Sequence, residues 1–226
     1  MKAKLSIYRY DPDSGGDSRY DDFEIDVDPS DTVLSALMKI FENYDSSLSF
    51  RFACGKVKCG ECSIMVNKFP HLACNKTVEP EMLIEPLPNL PIIKDLVFDR
   101  NKVINEIFEL LVPLNQPKNA IDGSITLDSE INDAYVRQTT CFECLICQSM
   151  CPIFKKNSDQ FIGPLGLLWL SQNSLTNVVK TKEMAQMTQM CSLCGECWKS
   201  CPAEINFLEY AITRLLNELK TNNRQE

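Results

Sequence analysis

Twelve cysteines and a single histidine mark this chain of 226 residues, and the spacing of the cysteines limits what they can do. The first group is Cys54, Cys59, Cys62 and Cys74, a C-x4-C-x2-C step with a more distant fourth thiol and with Gly55 and Gly60 interleaved in FACGKVKCGECSIMV. This is the plant-type spacing for a 2Fe-2S cluster, in which a loop curls round the iron, backbone amides point at sulfur and glycines allow the close approach. Structural zinc favours two separated C-x2-C hooks and fits a C-x4-C step less well. Arg51, Lys56 and Lys58 flank the loop; they either offset cluster charge and raise its potential or are solvated surface charges.

The second group is Cys141, Cys144, Cys147 and Cys151, followed by Pro152; the third is Cys191, Cys194, Cys197 and Cys201, followed by Pro202. Both obey C-x2-C-x2-C-x3-C-P, the bacterial-type run in which three close thiolates hold one four-iron cluster and the fourth reaches across to the other. The crossing assigns Cys141, Cys144, Cys147 and Cys201 to one 4Fe-4S cluster, and Cys151, Cys191, Cys194 and Cys197 to a second. Folding of this half is then expected to be coupled to cluster assembly. His71, three residues before Cys74, is read as an ordinary structural imidazole and not as a ligand.

The elements that must position these groups differ between the two halves. Residues 3–9 and 22–28 alternate apolar and polar side chains around the turn-rich DPDSGGDS, which predicts a hairpin. TVLSALMKIFENY, capped by Ser30 or Asp31, has helical periodicity, and short strands are expected at 63–66 and 82–85, giving an α+β half. Pro86, Pro88 and Pro91 interrupt regular structure near its end, so the boundary is set near residue 100. Beyond it, NKVINEIFELLV, the segment 163–174 and NFLEYAITRLLNELK repeat apolar residues three and four apart and predict helices, with TNNRQE fraying at the end.

Composition excludes several classes. A net charge of -8 repels a phosphate backbone, so nucleic acid is not an expected partner. No export signal is read at the N-terminus. The most apolar stretch, GPLGLLWL, is far shorter than the roughly 18–20 residues that span a bilayer, so no transmembrane segment is expected. In a reducing compartment twelve thiols point to metal rather than to disulfides. No phosphate-binding glycine fingerprint and no evident flavin or substrate site accompany them, so no catalytic residue is assigned and electron movement alone is expected.

The order of these motifs resembles that of the iron-sulfur subunits of succinate dehydrogenase and fumarate reductase. The resemblance runs through RYDPDSGGDSRYDDFEIDV, SFRFACGKVKCGECSIMVN with LACNK, IEPLPNLPIIKDLV and the two C-P-terminated runs. It implies a β-grasp 2Fe-2S ferredoxin domain over 1–100 and an all-α ferredoxin domain over 101–226. It also implies an FAD-containing flavoprotein partner, a membrane-anchor or cysteine-rich partner, and a cytoplasmic place, peripheral on the membrane through those subunits. Electrons would pass between the flavin and the 2Fe-2S centre, then to the centre of Cys141, then to the distal one. Most members place a nonpolar residue where this chain has Cys194, and hold a 3Fe-4S cluster there; the extra thiol predicts a second 4Fe-4S cluster. The family also usually shows a tryptophan soon after the first C-P and a histidine after the first cysteine of the last run. Here Lys155, Lys156 and Ser192 occupy those regions, which puts the usual quinone pocket in doubt. The same wire would serve a heterodisulfide reductase-like complex, a thiol-dependent fumarate reductase, a 2-hydroxy acid oxidase or a free-standing carrier.

Overall fold

The computed structural model describes residues 1–112, 115–116, 129–176, 178–179 and 186–222. It divides into two compact units, Met1–Arg100 with Phe142–Ile146, and Asn101–Cys141 with Cys147–Glu226.

The first unit is a five-stranded mixed sheet with one helix. Strands β1 (Lys2–Arg9), β2 (Arg19–Asp26), β3 (Ser63–Val66), β4 (Phe69–Leu72) and β5 (Glu81–Glu85) lie in the order β2-β1-β5-β3-β4. β1 pairs antiparallel with β2 and parallel with β5, while β3 pairs antiparallel with both β4 and β5. This is the β-grasp arrangement. Alternation along β1 buries Ala3, Leu5 and Ile7, and α1 (Val33–Asn43) adds Val33, Leu37 and Ile40 to the same core. β4 was not anticipated, because FPHL neither alternates nor avoids proline; its place at the sheet edge is what tolerates Pro70. A small hairpin, β6 (Ile92–Lys94) and β7 (Val97–Phe98), follows the prolines.

The cap of α1 falls one residue later than expected. Thr32 Oγ1 accepts from the Ser35 amide at 3.2 Å and the Thr32 amide donates to Ser35 Oγ at 2.9 Å, a reciprocal capping box. Asp31 is occupied elsewhere, accepting from Lys39 Nζ at 2.6 Å and from the Asp28 amide at 2.8 Å.

Position 9 breaks the apolar phase of β1 with a charge. Arg9 is 4% exposed, and its Nε donates to Asp95 Oδ1 at 3.1 Å and its Nη2 to Ser47 Oγ at 2.8 Å. Its Nη1 also meets Asp21 and Asp45. Asp95 in turn accepts from the amides of Tyr10 and Ser49 at 3.0 and 2.8 Å. One buried guanidinium thus ties β1 to the β6–β7 hairpin and to the chain entering the first cysteine loop; a buried charge is tolerated only with such full pairing.

The second unit is mainly helical: α2 (Arg100–Leu111), α3 (Ser129–Thr139), α4 (Ile146–Ser149), α5 (Gly163–Thr176), α6 (Glu196–Lys199) and α7 (Thr213–Asn222), of which Arg100 itself falls in the first unit. A two-stranded pair, Asn115–Gln116 with Val178–Val179, is the exception. Leu165, Leu167, Leu168 and Leu170 are all fully buried, so α5 is apolar round most of its circumference, as an enclosed helix must be. Phe108 stacks on Trp169 at 5.0 Å. The final helical pattern does not form one continuous α-helix: Leu208–Ile212 is a π-turn ahead of α7. The last four residues of the tail expected to fray lie outside the described residues.

Candidate metal centres

The first cysteine group sits on a loop between α1 and β3, and the structure draws its four thiols together. The Cys54 amide approaches Cys59 Sγ at 3.5 Å, and the Cys62 thiol hydrogen-bonds to that of Cys74 and faces Cys59. The frame is backbone. The Ala73 amide donates to the Cys62 carbonyl at 2.8 Å, and the first amides of α1, from Val33 and Leu34, donate to the carbonyls of Lys76 and Ala73 at 2.8 and 2.9 Å. Helix N-terminal amides, which have no partner inside the helix, therefore hold the segment bearing Cys74.

The loop suits bound anionic sulfur. Lys56 and Lys58 donate their amides to Cys54 Sγ at 3.3 and 3.4 Å, which holds that thiol down to about 6. Cys62, buried, is pushed up to about 12 by desolvation. Of the three flanking cations, Arg51 lies 3.6 Å from Glu61, while the side chains of Lys56 and Lys58 are exposed; what those two lysines bring to the site is their backbone. His71 stands on β4 opposite Ile64, its imidazole held below its ordinary range by burial.

The two later runs share one backbone design. In each, the first and last cysteine amides donate to a carbonyl three residues back: Cys141 to Gln138, Cys151 to Gln148, Cys191 to Thr188 and Cys201 to Trp198. In each, the second cysteine is flanked by two left-handed residues, Glu143 (φ 50) and Leu145 (φ 63) in the first, Leu193 (φ 56) and Gly195 (φ 79) in the second. The third cysteine, Cys147 or Cys197, is the second residue of a single helical turn, α4 or α6. Phe154 and Leu193 aim their amides at Cys151 Sγ and Cys191 Sγ, both at 3.5 Å.

Cys151, Cys191, Cys194 and Cys197 line one small cavity, walled by Phe161, Pro164, Leu167, Leu208 and Ile212. The fourth cysteine of the first run and the first three of the second thus lie round the same cavity. The π-turn supplies Leu208 and Ile212 to this wall, an irregularity of the kind that recurs at functional sites. Burial raises the thiols of Cys151 and Cys191 and pushes Cys197 up to about 12. Desolvation thus favours the neutral form of these three thiols, and a strong local positive charge such as iron would offset it. Among the described residues no three His, Cys, Asp or Glu side chains are grouped to hold a single metal ion, whereas four thiols round one cavity suit a wider cluster. Cys141 and Cys201 are half-buried, and Cys144 and Cys147 are buried.

Sequence reasoning missed the residues that hold Cys144. Its segment, Phe142–Ile146, packs within the first unit. The buried Ser63 Oγ donates to the Cys144 carbonyl at 2.9 Å, and Arg100 lies 3.7 Å from Glu61 and 3.5 Å from Glu143. Gly60 (φ 70) fits against it so closely that a β carbon there would lie 2.7 Å from Cys144 Cβ and 2.6 Å from the Phe142 carbonyl oxygen. A serine directly after a CGEC step gives no sign in sequence of what its hydroxyl will meet 81 residues later.

Comparison with known proteins agrees with this geometry. A family model described as a 2Fe-2S iron-sulfur cluster binding domain matches residues 4–105, and one described as a 4Fe-4S dicluster domain matches 137–205. The succinate dehydrogenase iron-sulfur subunit of Paracoccus denitrificans is 32% identical over 73% of this chain and 65% of its own length, so this chain spans about two thirds of that relative. The fumarate reductase iron-sulfur subunit of Haemophilus influenzae is 30% identical over 76% of this chain and 73% of its own. A chain of the Mycobacterium smegmatis Sdh1 complex in the apo form has the same fold, with a TM-score of 0.84 at 24% identity over 98% of this chain and 97% of that one. With a 2Fe-2S domain, a four-iron dicluster domain and relatives matched across most of both lengths, the chain belongs to the family of succinate dehydrogenase and fumarate reductase iron-sulfur subunits.

Proposed function

We propose that this chain relays electrons between the FAD of a flavoprotein subunit and a quinone or other acceptor, as the non-catalytic subunit of a succinate dehydrogenase or fumarate reductase complex. Cys54, Cys59, Cys62 and Cys74 hold a 2Fe-2S cluster in a domain over 1–100. Cys141, Cys144, Cys147 and Cys201 hold one 4Fe-4S cluster, and Cys151, Cys191, Cys194 and Cys197 a second, in a domain over 101–226. The observation that carries the reading is the convergence of Cys151 with Cys191, Cys194 and Cys197 on one apolar cavity, which supports four sulfur ligands for the distal centre.

Bound clusters supply one-electron couples at three points along the chain. The protein's own part is to fix the ligands and the dielectric. Amides of Lys56, Lys58, Phe154 and Leu193 donate to ligand sulfur, which favours added negative charge. Phe161, Leu167 and Ile212 give the distal cage an apolar wall, while Cys194 stays exposed to solvent.

Among the described residues no helix is long and apolar enough to cross a membrane, so attachment falls to a membrane-anchor or cysteine-rich partner on the cytoplasmic face. Exposed Ser192 stands where the family usually has histidine, and exposed Lys155 and Lys156 where it usually has tryptophan. This favours, as a second reading, an acceptor of the heterodisulfide-reductase type over the usual quinone pocket.

The test is to purify the native complex anaerobically, reduce it with dithionite and follow the cluster EPR signals on adding fumarate. Reoxidation that depends on a copurified flavoprotein is expected; signals unmoved in an intact complex would assign the chain to another flavoprotein system.

A further inference from the structure

We infer that Gly60 and Ser63, with Arg100, are positioning residues that clasp the ligand loop of Cys144 to the 2Fe-2S loop, and so make the crossing between the first two centres; the inference rests on the ligand assignment above. Three independent contacts converge on five residues of chain. Gly60 admits the Phe142 carbonyl and Cys144 Cβ to a distance no side chain would allow. Ser63, 2% exposed, fixes the Cys144 carbonyl by a buried hydrogen bond of 2.9 Å. Arg100, largely buried, spans Glu61 on one loop and Glu143 on the other.

Gly60 and Ser63 bracket Cys62 in sequence, and Gly60 follows Cys59 directly. Two ligands of the first centre are therefore joined, through a few bonds and one van der Waals step, to a ligand of the second. Packing alone would not require this composition. A larger residue at 60 would fill the same surface but push the Cys144 backbone away, and an apolar residue at 63 would keep the packing while releasing the carbonyl.

The experiment compares the wild-type holoprotein with Ser63→Ala, Ser63→Thr and Gly60→Ala after full anaerobic reduction, reading iron content and the spin relaxation of the 2Fe-2S EPR signal. In the wild type a neighbouring reduced four-iron centre is expected to speed that relaxation. Ser63→Ala and Gly60→Ala are expected to lose much of the enhancement with iron content unchanged, Gly60→Ala the more, and Ser63→Thr, which keeps the hydroxyl, to restore it. A merely structural role would lower thermal stability and leave the enhancement in place, and that result in Ser63→Ala overturns the inference. Should Gly60→Ala fail to accumulate, the Ser63 pair decides alone. Wild-type protein with full iron but no enhancement also overturns the inference, whereas wild-type protein lacking the 2Fe-2S signal overturns the ligand assignment beneath it.

Discussion

The second cysteine of each four-cysteine run makes an informative pair. Cys144 and Cys194 occupy the same place in the same motif, each between two left-handed residues. Yet Cys144 is buried beneath Gly60 and Ser63, while Cys194 is exposed, with Ser192 and Leu193 exposed beside it. Ligand geometry is thus set locally by the motif, and ligand environment is set by what the rest of the chain lays over it. Solvent exposure and hydrogen bonding tune iron-sulfur potentials, so the two clusters proposed for these runs would not be equivalent centres despite identical spacing.

The largest effect expected is loss of the frame that both runs share. Stripping iron and sulfide from the anaerobic protein should lower the helical far-UV circular dichroism of the second unit, because its two cysteine runs, with the single turns α4 and α6, lose the ligands that organise them. An unchanged spectrum would show that both runs fold without metal and that the comparison lies only in packing.

Next comes the pair itself. Cys144→Ser removes a covered ligand whose neighbours are shared with the 2Fe-2S loop, and should cost the whole of its centre. Cys194→Ser removes an uncovered ligand and should cost one iron, leaving about nine of the ten expected for one 2Fe-2S and two 4Fe-4S clusters. Iron and sulfide analysis checks both. Equal losses in the two variants would erase the distinction.

The cover over Cys144 is only as firm as the sheet beneath it, where Arg9 and Asp95 have side chains 5% and 2% exposed. Asp95→Ala leaves part of a buried guanidinium unpaired and should destabilise the first unit by about 3 kcal/mol, measured by urea unfolding of the loaded protein. A loss of a few tenths would mean that Asp21 and Asp45 suffice.

The smallest effect expected is on pH. Hydrogen bonds from Ser47, followed by Arg9, hold the Asp45 carboxyl down to about 2 despite partial burial. A folded value below the unfolded one means that the carboxylate stabilises the fold above the ordinary carboxylate range of about 4 and loses this contribution as pH falls from there toward about 2. Asp45→Asn should flatten that part of the acid limb in a stability-against-pH series and leave the neutral region shifted by a constant; an acid limb identical to wild type would dismiss the contribution.

Much of the fold was legible because its signals are periodic. Alternation found β1 and most of β2, and three-and-four spacing found α1, α2 and α5. β4 was not legible, since an edge strand needs neither alternation nor freedom from proline. The π-turn was hidden because its apolar spacing looks helical, while its register answers to the cavity that Leu208 and Ile212 line. Arg9 did carry a signal, a charge in the buried phase of Ala3, Leu5 and Ile7, but which acids would meet it could not be read, since Asp95 lies 86 residues away.

By itself the sequence determined that a 2Fe-2S domain is followed by a four-iron dicluster domain, and it supplied the thiols proposed as ligands, because cysteine spacing within a run is local geometry that survives any packing. Only the tertiary structure decided that Phe161, Leu208 and Ile212 wall the cavity of the second run, that Ser63 and Gly60 close over Cys144, and that Cys194 stays uncovered. The reason is physical: the motif fixes where sulfur points relative to its own backbone, but burial and approach come from segments distant in sequence, whose meeting no local pattern encodes.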